Sequence, residues 1–327
     1  MAMSTDSIID RRRLRRKVTF WRIMAVLAAV LAIVAWAFAS GGIDGAFGRR
    51  QPQIAKIRVE GTITQDQDLI DRLHRLAKTD SVKAVILAVN SPGGTTVGGE
   101  SIYEAVRELA ARKPVVAEVG TVAASAAYMI ACGADHIVAQ RTSIVGSIGV
   151  LFEYPDLSGL LDKAGVKVED IKSSPLKAEP NYFHPASEEA KTMIRSMILD
   201  SYAWFVDLVQ TRRGFTHDQA LALSDGSVFT GRQALGNRLV DAVGGESAAL
   251  EWLRSKGIDI RLPVVEWKRK EDVGRYFFAK AALHYAAGLL GLPAGSGPFL
   301  RELTADRIFL DGLVSVWQVG GGRGGDK

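Results

Sequence analysis

Thr121-Val-Ala-Ala-Ser125-Ala-Ala-Tyr-Met-Ile-Ala-Cys-Gly133 follows a strand-like run, Pro114-Val-Val-Ala-Glu-Val119, which ends at Gly120. An apolar run rich in β-branched residues, then a glycine, then helix formers read as strand, tight turn and helix. The helix starts with a serine among small residues, so another backbone or a substrate can come close to its hydroxyl. Amides of a first helical turn have no intrahelical acceptor and can stabilise a developing negative charge. Ser125 is therefore a candidate nucleophile. A small residue filling a packed strand–helix junction explains the same segment equally well.

The alternation continues on both sides of this unit. Ile54 to Val59 reads as a strand, and Asp68 to Ala77 as a helix with Leu69, Ile70, Leu73 and Leu76 on one face. Val82 to Val89 is a continuous apolar run of the kind found in buried parallel strands. Ser101 to Ala111 and Ala124 to Cys132 read as helices, and His136 to Ala139 as a strand. Beyond these come a short helix at Leu157 to Ala164, a strand at Val166 to Ile171 and a long helix at Glu188 to Arg212. Thr216 is placed to cap a helix reaching Leu223. Arg232 to Gly236 and Ser247 to Lys256 read as helices, followed by a strand at Ile258 to Val265. Alternating β and α elements imply an α/β fold with a mainly parallel sheet.

The formal charge of +5 is concentrated at one end. Residues 1–22 hold seven Lys and Arg against two Asp, which accounts for all of it and leaves the remaining 305 residues neutral. A nucleic-acid-binding body is not indicated. Ile23 to Ile43 follows, twenty-one residues without a charge. As a helix it would be about 32 Å long, enough to cross a bilayer core. Trp21 and Trp36 lie near its ends, and the basic tail should stay cytoplasmic. The rival reading is a cleavable signal peptide, with Ala37-Phe-Ala39 as its small-x-small site. Residues 44–53 read as a linker, and the body beyond would lie on the extracytoplasmic side. Residues 276–292 are apolar but hold Lys280 and His284, which suits a packing or interfacial helix, and the Gly-rich end from Gly320 reads as disordered.

Cys132 is the only cysteine, so no intrachain disulfide forms. The five histidines are scattered without metal-ligand spacing, and no metal or cofactor is expected. Asn90-Ser-Pro-Gly93-Gly94 follows the Val82–Val89 strand. Its glycines can turn amides toward a ligand as an oxyanion hole, or simply make a strand-to-helix turn.

A nucleophilic serine needs a base. His136 starts a strand eleven residues after Ser125, and Asp135 beside it could not orient it as a triad acid does; His184 lies in a loop bounded by prolines. That leaves a lysine, which acts as a base only when its surroundings depress its pKa from about 10.4. Lys177, in the non-helical stretch Ser173-Ser-Pro-Leu-Lys-Ala-Glu-Pro180, is the best candidate. Lys163, Lys167 and Lys172 follow a surface pattern. Taken alone, Lys177 reads more readily as a solvated loop lysine.

Asn90-Ser-Pro-Gly-Gly94, Ala123-Ala-Ser125, Gly146-Ser-Ile-Gly149, Lys177 and Thr230-Gly-Arg-Gln-Ala-Leu-Gly-Asn-Arg-Leu-Val-Asp-Ala-Val-Gly-Gly245 occur in one order. Over residues 54–266 this order resembles the short, single-domain form of signal peptide peptidase A. The resemblance implies a Clp protease/crotonase-like β-α superhelical core behind one transmembrane helix. It implies Ser125 as nucleophile and Lys177 as general base, with the amides of Gly94 and Ala126 as oxyanion hole and Ser147 holding the lysine amine. It also implies ring- or dome-shaped homo-oligomers that pair one subunit's serine with a neighbour's lysine, acting at the membrane on signal-peptide remnants. Ala126-Ala127 stands where the family has Gly-Gly, and the added methyls are expected to narrow the space beside the nucleophile. Residues after 267 match nothing in the family. A crotonase-like acyl-CoA enzyme and a non-catalytic membrane scaffold are the competing readings.

Overall fold

The computed structural model describes residues 17–18, 20–28, 51–269 and 314–316. The chain divides into two units, Met1–Gln53 and Ile54–Lys327. In the first, residues 17–18 and 20–28 are helical and exposed. Among the described residues no helix is long and apolar enough to cross a membrane. The expected anchor over 23–43 falls, from residue 29 onward, outside the described residues. So do the expected helix at 276–292 and the Gly-rich end.

The second unit is built on one sheet. Strands β1 (Gln53–Ile63), β2 (Val82–Thr95) and β3 (Val115–Ala124) form its centre, with helix α1 (Gln67–Lys78) and α2 (Thr96–Ala110) as the crossovers. After β3 come α3 (Ala126–Cys132), β4 (His136–Ala139) and β5 (Ile144–Gly146). Then follow α4 (Ser158–Ala164), α5 (Glu188–Arg213), α6 (His217–Ala222), β6 (Val228–Thr230), α7 (Gly231–Gly236), β7 (Ala242–Val243), α8 (Glu246–Ser255), β8 (Val264–Glu266) and β9 (Val314–Val316).

The strand order is β6-β5-β3-β2-β1-β8, with β4 on β3, β7 on β4 and β9 on β2. β1 pairs with β8, β2 with β3, β3 with β4 and β5, and β4 with β7 in parallel, whereas β5 with β6 and β2 with β9 are antiparallel. β3 forks, because Val116–Val119 pairs with β4 whereas Val122–Ala124 pairs with β5. The expected mainly parallel α/β architecture is the one observed.

Both faces of the sheet are covered, which is why its strands are apolar without alternation. On one face Ile57, Val85, Leu87, Ala117 and Val119 pack with Leu73, Val106, Met129 and Phe205 from α1, α2, α3 and α5. On the other, Ile54, Ile86, Val116 and Val138 pack with Ala249 and Leu253 of α8. The helix starts follow from their caps. Asp66 accepts from the Leu69 amide, Thr95 from Gly98 and Ser187 from Ala190, and Thr216 and Thr230 each complete a capping box.

Two expected strands are corrected. Val166 to Ile171 forms no strand, and Ile258 to Val265 is reduced to the Val264–Glu266 strand. Alternating Val166, Val168 and polar neighbours imitate a strand, but every residue from 163 to 171 is exposed and pairs with no sheet edge.

Candidate active site

β3 does not stop at Gly120. Two of its amides there, Thr121 and Val122, donate to Asn90 Oδ1 at 3.1 and 3.2 Å. The Asn90 side chain thereby replaces backbone partners where the β2–β3 register shifts between Val89 and Ser91. The strand runs on to Ala124, and Ser125 alone makes the turn into α3. Ser125 has φ 60° and ψ −122°, a conformation that L-residues rarely adopt. Its amide donates to the Gly146 carbonyl at 2.8 Å and its carbonyl accepts from Met129 at 3.0 Å, so both sides of the turn are fixed. The residue is 1% exposed.

Gly94 lies three residues beyond the Ser91–Ala123 pair, and Ser125 two residues beyond it on the adjacent strand. A Cβ at position 94 would lie 1.8 Å from the Ile63 carbonyl oxygen, so only glycine lets β2 pass β1 here. The Gly93–Thr95 strip pairs with Val314–Val316 as an antiparallel strand. Ser147 follows the Gly146 that binds Ser125, has φ 52°, and donates its amide to Ser227 O at 2.7 Å. Ser125, Gly146 and Ser147 are thus one hydrogen-bonded corner.

Ala126 and Ala127 are fully buried. The Ala126 methyl faces α2, where a Cβ built at Gly99 would come within 3.0 Å of it. It lies at the α2–α3 contact. The far end of α3 is closed by arginines: Arg107 donates to Gly133 O, and Arg212 to Cys132 O and Ala134 O, at 2.8–3.0 Å. Burial pushes the Cys132 thiol up to about 11, which leaves it an unreactive protonated core residue.

The histidines have other partners. His136 stacks on Trp252 with ring centroids 5.0 Å apart, and its Nδ1 faces Asp241 at 3.7 Å. His184 meets Asn181 and Glu179. Among the lysines, Lys172 is held by Asp170 and Glu179. Lys177 sits in an exposed turn, its amide donating to Ser174 O at 3.1 Å. Its side chain makes no hydrogen bond or ion pair among the described residues. The chain thus assembles Ser125 with Gly146 and Ser147, and the Lys177 side chain makes no bond to them among the described residues. Asn90, which joins β2 to β3, and Glu179, buried beside Lys177, are not singled out by sequence reasoning; their only signal is an Asn and a Glu within the motifs that carry Gly94 and Lys177.

A family model described as Clp protease matches residues 52–147, and one described as Peptidase family S49 matches residues 107–259. The two together cover Gly94, Ser125, Ser147 and Lys177. A candidate protease of Methanocaldococcus jannaschii is 39% identical over 207 residues, 63% of this chain and 67% of that one. A candidate protease of Synechocystis sp. is 34% identical over 245 residues, 73% and 88% of the two chains. A candidate signal peptide peptidase of Enterococcus faecium is 30% identical over 281 residues, 80% and 77% of the two. An α/β protein with a Clp-protease-like domain and a strained, buried serine at its central strand–helix turn, the chain belongs to peptidase family S49, as a serine protease of the signal peptide peptidase A type.

Proposed function

We propose that the chain is a membrane-anchored Ser–Lys endopeptidase that degrades cleaved signal peptides and other short hydrophobic peptides. The observation that carries the chemistry is Ser125 itself: a non-glycine residue held at φ 60° between β3 and α3, beside Gly146-Ser147. Ser125 Oγ attacks the scissile carbonyl carbon while the neutral Lys177 amine takes its proton. The carbonyl electron pair moves onto oxygen, which faces the amides of Gly94 and Ala126. Collapse breaks the C–N bond, and the Lys177 ammonium returns its proton to the leaving amine. Water, deprotonated by the same amine, then releases the acid and restores the serine. The Ser147 hydroxyl orients the lysine amine.

The antiparallel pairing of Val314–Val316 on Gly93–Thr95 supports an extended peptide as substrate, since that strip accepts a strand beside Gly94. A groove of about 830 Å³ adjoins Thr95 and gives such a strand room to continue. The lysine comes from a neighbouring subunit. Two features favour this: Lys177 is exposed, and its lobe also exposes the apolar Leu160, Val166, Ile171 and Phe183, which a second copy would cover. The charge-free run 23–43 behind the basic tail supports a single-pass inner-membrane anchor, with the peptidase unit outside the cytoplasm. No nucleic acid, metal or cofactor enters the scheme.

A fluorophosphonate probe tests the nucleophile. The full chain in detergent should carry the adduct on Ser125, and Ser125→Ala should carry none. An adduct on a different serine in a folded, active preparation would overturn the assignment.

A further inference from the structure

Lys177 projects from a segment with no helix or strand between Gly165 and Ser187, in a lobe where no residue from 151 to 189 is fully buried. Ala178 beside it has φ 61°, a left-handed conformation that an alanine adopts only when its surroundings impose it. The buried group in this lobe is a carboxylate. The Glu179 side chain is 5% exposed, although it lies two residues from the exposed Lys177. Its Oε1 accepts from Lys172 Nζ and from Asn181 Nδ2, the latter at 3.2 Å, and lies 3.3 Å from His184 Nε2. Lys172 also binds Asp170 at 2.8 Å, and Asn181 Oδ1 accepts from the Phe183 and His184 amides. The Tyr182 carbonyl accepts from Leu157 at 2.9 Å and ties the same network to the start of α4. Asp170, Glu179 and His184 have the donor types of a metal site, but the Lys172 ammonium already bridges the two carboxylates.

Given Lys177 as the general base, on which this inference rests, we propose that Glu179 is its positioning residue. Its buried carboxylate, clamped by Lys172 and Asn181, fixes the turn from which the lysine reaches the serine. A four-carbon side chain on a coreless loop has too much freedom to serve as a base unless its root is held. Glu179 holds that root with charge in place of apolar packing. Its other oxygen, Oε2, is buried and has no hydrogen-bond partner among the described residues.

The test uses the full chain in detergent and a fluorogenic hydrophobic peptide amide. In Glu179→Gln, kcat should fall on the order of tenfold to a hundredfold, as expected for a displaced catalytic group, with KM within about twofold. The rate of fluorophosphonate labelling at Ser125 should fall by the same factor, while melting temperature and oligomer size stay near wild type. Lys172→Met should act through the same clamp and reproduce the effect, the double variant should be no worse than either single one, and Glu179→Asp should recover part of the rate. If Glu179→Gln proves unstable, Lys172→Met and Glu179→Asp carry the same comparison. Wild-type kcat in Glu179→Gln, with Lys177→Ala inactive, would overturn this inference alone. Loss of kcat only in proportion to folded protein would do the same. Activity surviving in Lys177→Ala would overturn the lysine assignment beneath it.

Discussion

Ser125 turns the chain from β3 into α3 in a backbone conformation held by residues far from it in sequence. Small residues around it announce a close approach, and the structure supplies a reason: Ala126 and Gly99 are in near contact, and Gly94 passes Ile63 with no room for a Cβ. The strain at φ 60° is not legible from the sequence, because nothing local demands it. Distant acceptors hold it: the Ser125 amide donates to Gly146 O, and the Thr121 and Val122 amides of β3 donate to Asn90 Oδ1. Lys177 is reached only by elimination and by its place in an ordered set of motifs, since a lone lysine in a loop carries no signature of its own. If the two residues act as one unit, Ser125→Ala and Lys177→Ala should each remove essentially all peptide hydrolysis, and the double variant should be no slower than either. Steady-state rates with circular dichroism on all three decide it. Substantial turnover in Lys177→Ala, or a further large drop in the double variant, would break the pair.

Elements with their own periodicity are legible in the sequence, and those that depend on partners are not. The four apolar positions of α1 predict its buried face, and Thr216 predicts the cap of α6. The strands Ile144–Gly146, Val228–Thr230 and Ala242–Val243 are too short to carry a pattern and exist only because a neighbouring edge accepts them. His136 at the start of β4 shows how an element's surroundings set a residue's chemistry. Burial lowers its pKa, assisted by the positive charges of Arg213 and Lys256 and opposed by Asp241, with Trp252 stacked on the ring. The neutral form is therefore favoured by folding. That contribution is present above the ordinary histidine range and is lost as the pH falls through it. Between about pH 7.5 and about pH 5.0, either side of the ordinary histidine pKa, the wild type should lose more melting temperature than His136→Gln does. Equal losses in the two proteins would show that His136 carries no such linkage.

At the scale of the molecule, the decisive quantity is where each half of the site resides. The chain buries Ser125 at 1% exposure, whereas Lys177 stands exposed on a lobe that also exposes Leu160, Val166, Ile171 and Phe183. A neutral body behind a basic tail has no long-range charge to hold copies apart, so contact between lobes can decide assembly. If a neighbour's lysine serves each serine, a monomer holds only half a site. Specific activity should then collapse on dilution below the assembly concentration, and recover on concentration. Subunits carrying Ser125→Ala and subunits carrying Lys177→Ala, each inactive alone, should regain activity when mixed and allowed to exchange. Some interfaces would then join an intact serine to an intact lysine. The recovered fraction should vary with the mixing ratio and vanish if the subunits are cross-linked before mixing. Full activity in a species that sediments as a monomer would exclude a shared site and require Lys177 to reach Ser125 within one chain.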